Sequence, residues 1–271
     1  MPPAESELPP SDSGPPFFFL HVMKTGGTAF VFNLRRNFRP GEVYPADADR
    51  ASPEDLSPYV SVTHLLALPA ERRRVIRMYT GHFPYVATQL LDMPLRTLTL
   101  LREPVERTIS VLKHFQRGFA RYEAQSLAAL YDDPFLFEHF VHDHQTKLFS
   151  IGAADRPETF ASTLTHAQNR ARHLGGADPE PPTTITVDAT RLAVAKKNLS
   201  RVDVVGVHAH YAAFVERLRA RFGWWPGGVD ASARVNVAGN AAEVDAALRR
   251  RIAADNAFDA ELYEHAVELA R

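Results

Sequence analysis

Short apolar runs rich in aromatic and β-branched residues recur along this chain, and each leads into a stretch whose apolar residues fall at helical spacing. Phe17 to Val22 reads FFFLHV and ends near a glycine pair that opens into TAFVFNLRRNF, the pattern of strand, tight loop and helix. Val75 to Tyr79 reads as a second buried strand, followed by GHFP, where Pro84 suits the first turn of a helix over Tyr85 to Leu91. Thr97 to Leu101 is a third strand, running into REP and then a helix from Val105 to Phe119. Thr183 to Val187 and Val202 to Val207 supply two more, each with a helix behind it. Asp133 to Ser150, Ser162 to Leu174 and the tail from Ala241 onward read as helices, with a proline-rich turn over Gly175 to Pro182. Strands alternating with helices predict an α/β fold, a mainly parallel central sheet flanked by helices. In such folds ligands bind beyond the carboxyl ends of the strands.

Composition narrows the partners. The formal net charge of -1 supplies no global field for nucleic acid, so no nucleic-acid partner is expected and any anion site must be built locally. The chain has no cysteine, which excludes disulfides and thiolate metal sites and fits a cytoplasmic compartment. No stretch approaches the roughly 20 apolar residues that span a bilayer, so no transmembrane segment is expected. The opening MPPAESELPPSDSGPP, residues 1–16, is acidic and proline-rich and reads as a disordered lead-in, leaving residues 17–271 as one domain. The excess of alanine and arginine over lysine points to a GC-rich bacterial genome.

Two strand exits carry chemistry. In HVMKTGGTAF, Gly26 and Gly27 allow close approach of backbone to a ligand, and the helix that follows offers unpaired amides and the positive end of its dipole. Lys24 adds a mobile charge, and the hydroxyls of Thr25 and Thr28 add donors. The same string also reads as a glycine turn with a solvated lysine and a Thr28 cap. Its lysine precedes the glycines, unlike the GxxxxGK order of nucleoside-triphosphate loops. In LREPVERTISVLKHF, Arg102 stands at the strand exit, Pro104 at a first helical position and Ser110 about two turns later. Arg102 can grip a phosphate with its planar fork, or it can pair at the surface with Glu103 or Glu106.

Taken together, HVMKTGGTAF resembles the 5′-phosphosulfate loop, and LREPVERTIS the 3′-phosphate segment, of sulfotransferases that use 3′-phosphoadenosine 5′-phosphosulfate (PAPS). The branch it resembles contains heparan sulfate 2-O-sulfotransferases and small bacterial relatives. The resemblance extends over residues 17–265: HDHQTKLFSIG is similar to a mid-chain helix of that family, VDVVGVHAHYAAFVERLRARFGW to its last strand and following helix, and NVAGN and ADNAFDAELYEHA to its C-terminal segments. Met23, Ala29 and Glu103 stand where many relatives have proline, serine and aspartate.

The resemblance implies a P-loop-like fold and sulfuryl transfer from PAPS to an acceptor hydroxyl, leaving the bisphosphate PAP. Lys24 would contact the bridging oxygen and 5′-phosphate, with Thr25, Gly26, Gly27 and Thr28 as the cradle. Arg102 and Ser110 would hold the 3′-phosphate, and no metal is expected. A base that is neutral near pH 7 suits an acceptor hydroxyl, and His82, in TGHFP at the second strand's exit, is the candidate; the family carries its catalytic histidine in a similar Gly-His segment. His139, His142 and His144 lack the spacing of zinc helices and read as helix-surface or acceptor-pocket residues. His21 reads as lying within the first strand, buried or hydrogen-bonded, and His208 and His210 as borders of the acceptor pocket. Phe115, Phe119, Tyr122, Trp224 and Trp225 read as core or as stacking surfaces for the acceptor. The acceptor class stays broad: a small molecule, glycan or lipid bearing a hydroxyl. The rival readings are a nucleotide-dependent phosphotransferase that needs Mg²⁺ and a nucleotide-binding protein without turnover.

Overall fold

Among the described residues five strands form: β1 (Phe17–Leu20), β2 (Val43–Tyr44), β3 (Met78–Gly81), β4 (Arg96–Leu101) and β5 (Val204–Val207). They assemble in the order β2-β3-β1-β4-β5, and every pairing is parallel. The computed structural model describes residues 14–53, 55–160, 183–225 and 244–271. The α/β sheet flanked by helices is therefore the observed fold.

The period of two along β1 decides which residue enters which layer. Phe17 and Phe19 pack on one face with Phe30, Leu34, Phe214, Leu218, Trp224 and Trp225. Phe18 and Leu20 pack on the other with Tyr79, Phe149, Leu192, Leu199 and Leu262. Burial of each such side chain is worth about 1.5–3 kcal/mol. Helix α1 (Gly27–Leu34) follows β1, α2 (Val86–Leu90) follows β3 and α3 (Pro104–Gly118) follows β4. Further along lie α4 (His144–Ser150), α5 (Ala189–Leu199), α6 (Tyr211–Phe222), α7 (Ala246–Asp255) and α8 (Ala257–Leu269). A third cluster, built on Val111, Leu112, Phe115, Tyr131 and Ile252, fastens α3 to the helical segments beyond it. Phe115, Tyr122, Trp224 and Trp225 are all buried, so they serve as core rather than as stacking surfaces.

Several expected elements fall elsewhere. The stretch from Val75 divides: a helix over Ala70–Val75 ends there, and the strand starts at Met78. Thr183 to Val187 belongs to no strand of the sheet, although Ile185 is buried against the α5 side of the core. The helix read over Asp133 to Ser150 is interrupted. One turn at Pro134–Leu136 widens into a π-helical turn at Phe137–Val141, and Asp143 in the left-handed region (φ 43°) separates it from α4. That break carries His139 and His144 into the interior, at 6% and 1% exposure, instead of onto a helix surface. The tail is two helices split at Asn256. The expected helix at Ser162 to Leu174, the turn at Gly175 to Pro182 and the NVAGN segment lie outside the described residues.

Candidate functional site

Parallel strands end at the same rim, so the residues that follow β1, β3, β4 and β5 converge there: His21 and Lys24, His82, Arg102, and His208. The register places Leu20 beside Gly81 and Thr99, so β1 and β3 end level with one another while β4 runs two residues further, to Leu101, before Arg102.

The loop after β1 is tightly held from within. Thr25 is fully buried, and its hydroxyl donates to the Val22 carbonyl at 2.9 Å. That hydroxyl is thus committed to the loop. Lys24 has φ 68° and Gly26 φ 93°, both in the left-handed region. For lysine such a backbone costs on the order of 1–3 kcal/mol, a cost found where a loop must aim its amides. Gly26 caps α1, and Thr28 stands exposed on the helix's first turn.

The glycine pair has a use the sequence did not reveal. A Cβ on Gly27 would lie 2.1 Å from Cδ2 of His21, and one on Gly26 would lie 2.8 Å from Cδ2 of His208. Both glycines therefore make room for imidazole rings. His208 accordingly sits beside the Lys24 loop, and the Arg102 charge helps, after burial, to lower its pKa.

His82 is anchored at both ends. Its backbone N–H donates to the Tyr59 carbonyl at 2.7 Å, and its Nδ1 lies 2.8 Å from the His21 carbonyl oxygen. A carbonyl only accepts, so Nδ1 carries the proton and Nε2 presents a lone pair. Burial lowers the pKa of His82, the bond to His21 opposes this, and the charges of Lys24 and Arg107 lower it further. The rings of His21 and His82 are 4.3 Å apart, and burial with the His82 charge pushes His21 well below the imidazole range. Both shifts favour the neutral imidazoles.

Arg102 reaches back across the rim: its Nη1 donates to the Lys24 carbonyl at 3.2 Å. Its ion pair with Glu106 is long, 3.8 Å, and Glu106 holds Arg249 at 2.7 Å instead. Glu103 is occupied as the α3 cap, accepting from the N–H groups of Val105 and Glu106. Arg102 thus keeps the pairing with Glu106 and adds a contact to the Lys24 loop, while its Nε is buried with no hydrogen-bond partner. Burial, then the Arg117 and Arg102 charges, lowers the Lys24 pKa.

No family model matches the chain, and no curated protein matches it. Among solved structures the chain is similar to a sulfotransferase from Alicyclobacillus acidocaldarius, at 15% identity, over 77% of this chain and 96% of that one, with a TM-score of 0.31.

Ser110 is half-buried on α3, on the helical face shared with Arg107, His114 and Arg117. On that face burial and the charges of Lys24, Arg117 and His82 push the pKa of His114 down to about 4. His114 was not singled out from the sequence, although its place four residues after Ser110 is the signal that would have found it. Among the described residues no group of histidine and acidic side chains could hold a metal, and no helix is long and apolar enough to cross a membrane.

Proposed function

We propose that the chain is a PAPS-dependent sulfotransferase acting on a hydroxyl acceptor. The observation that carries this reading is the hydrogen bond from Arg102 to the Lys24 carbonyl, which puts two cationic groups on one rim beside a neutral histidine. After burial, the charges of Arg117 and Arg102 disfavour the charged form of Lys24, and a bound bisphosphate relieves that repulsion. The buried, unpartnered Nε of Arg102 fits the same role.

When bound, PAPS would supply the sulfuryl group to be transferred. Lys24 and the amides from Thr25 to Thr28 would hold its 5′ end, and Arg102 with Ser110 its 3′-phosphate, a group ATP lacks. The Lys24 ammonium would offset negative charge that develops on the leaving oxygen. His82 takes the acceptor's hydroxyl proton at Nε2 while its Nδ1–H stays on the His21 carbonyl, which fixes the ring. The acceptor is a small molecule, glycan or lipid that presents a hydroxyl at His82. Calorimetric titration tests the reading: PAP binds without metal and ATP binds far more weakly. Tight, Mg²⁺-dependent ATP binding with none for PAP would replace sulfuryl transfer by phosphoryl transfer.

A further inference from the structure

The ladder of β4 ends one residue before Arg102. Its last partners are Leu20, opposite Thr99, on one side and Val207, opposite Leu101, on the other. The backbone N–H and C=O of Arg102 must therefore find partners outside the sheet. Both find the same one. The N–H donates to Oε1 of Gln145 at 3.1 Å, and Nε2 of Gln145 donates to the Arg102 carbonyl at 2.9 Å. Gln145 is fully buried and stands in for one residue of a missing strand.

Gln145 is itself fixed from the far end of the chain. Its own N–H and that of Thr146 donate to Asp259 of α8, at 3.1 and 2.7 Å, and the Thr146 hydroxyl adds a third bond to the same carboxylate at 2.8 Å. The Asp259 N–H returns to Asp143 Oδ1, and the Asp143 N–H to Asn256 Oδ1, both at 2.8 Å. Gln145, Asn256 and Asp259 are at most 1% exposed, so these bonds form where water does not compete. The first turn of α4 is in effect capped by a carboxylate from α8, and its second residue grips the arginine that bonds the Lys24 loop.

We infer that Gln145 is a positioning residue for the donor site: it sets the backbone of Arg102, and through it the aim of the guanidinium at the 3′-phosphate. This rests on the donor reading above. Of the linked residues Arg102, Gln145, Asp259, Asp143 and Asn256, it is Arg102 that would meet the ligand, so Gln145 acts chiefly on the 3′-phosphate. A residue that merely supports the fold would weaken every ligand alike.

The experiment uses the full chain, with Gln145→Ala and the near-isosteric Gln145→Glu, which keeps an acceptor for the Arg102 N–H but removes the donor to its carbonyl. Affinities for PAP and for adenosine 5′-phosphate, which lacks the 3′ group, are measured by calorimetry beside the melting temperature. The expected result is a fall of roughly 10- to 100-fold in PAP affinity with adenosine 5′-phosphate nearly unchanged, and no further loss when Gln145→Ala is added to Arg102→Ala. Equal losses for both nucleotides, losses that add in the double variant, or wild-type PAP binding in both single variants overturn the proposal. Amide hydrogen exchange at Arg102 reads the clamp without ligand: it accelerates in Gln145→Ala if the clamp is real, and unchanged protection there overturns it. If the unaltered protein does not prefer PAP to adenosine 5′-phosphate, the donor reading fails, and the exchange measurement still decides the clamp.

Discussion

The Nη1 of Arg102 donates to the carbonyl of Lys24 across 3.2 Å, joining residues 78 positions apart in the chain. A strand exit and a glycine loop that look unrelated in sequence thus share one rim, because β1 and β4 are parallel neighbours. Removing the guanidinium deletes charge-assisted bonds to any phosphate held there, each worth roughly 1.5–3 kcal/mol. Arg102→Ala is expected to weaken PAP by about 10- to 100-fold or more, and Arg102→Lys to restore little, since a point charge replaces a planar fork. Calorimetry on the two variants checks this, and near-normal PAP binding in Arg102→Ala would remove the residue from the donor site.

The tautomer of His82, set by its bond to the His21 carbonyl, leaves Nε2 free to accept a proton. His82→Ala is expected to lower kcat by roughly 10²- to 10⁴-fold while PAP affinity stays near normal. The pH profile carries an independent sign. Burial lowers the pKa of His82, so the neutral, active form persists to lower pH than for free imidazole. The acid limb of kcat/KM should therefore fall with a midpoint below 6.5, the unperturbed value. A midpoint above that value would point to another base.

The strand exits were legible because Lys24, His82 and Arg102 each follow a run of apolar residues, a local pattern. The parts that escaped are those that depend on contacts distant in sequence. Val43 and Tyr44 form an edge strand of two residues, too short for any alternation to register. The π-helical turn and the left-handed Asp143 break what reads as continuous helix, because Asp143 is held by Asn256 and Asp259, more than 100 positions away. Gly26 and Gly27 announce a close approach, yet what approaches them includes the rings of His208 and His21. Which group fills the space above a glycine is a tertiary fact.

The same Asp143 gives the protein a pH-dependent stability. Burial first, and the neighbouring Asp259 charge second, push its carboxyl up to about 7. A raised carboxylate pKa stabilises the fold fully below the unfolded value near 4, and that contribution is lost as pH rises through about 7. Asp143→Asn keeps an oxygen for the Asp259 N–H but carries no charge. The variant is expected to flatten the decline in melting temperature between pH 4 and 8, a gain on the order of 2 kcal/mol at the alkaline end. Parallel thermal melts of the two proteins across that range check the sign, and a variant that loses stability at pH 8 would contradict it.

The packing of His21 over Gly27 makes one further change diagnostic. A methyl group at residue 27 would fall 2.1 Å from Cδ2 and 2.2 Å from Nε2 of His21, far inside van der Waals contact. The ring cannot withdraw freely, because it is stacked on Phe19 at 5.5 Å on one side and lies 4.3 Å from His82 on the other. Gly27→Ala should therefore cost about 1–3 kcal/mol of stability by overpacking, and it should displace His82 along with His21, lowering kcat more than PAP affinity. Backbone conformation is not the cause at this position: the left-handed glycine is Gly26, and Gly27 already begins α1. Adding His21→Ala to Gly27→Ala removes the collision and should return most of the lost stability, while a conformational penalty at Gly27 would persist in the double variant. Melting temperatures of the two single variants and the double variant distinguish these outcomes, since direct contact predicts strong non-additivity.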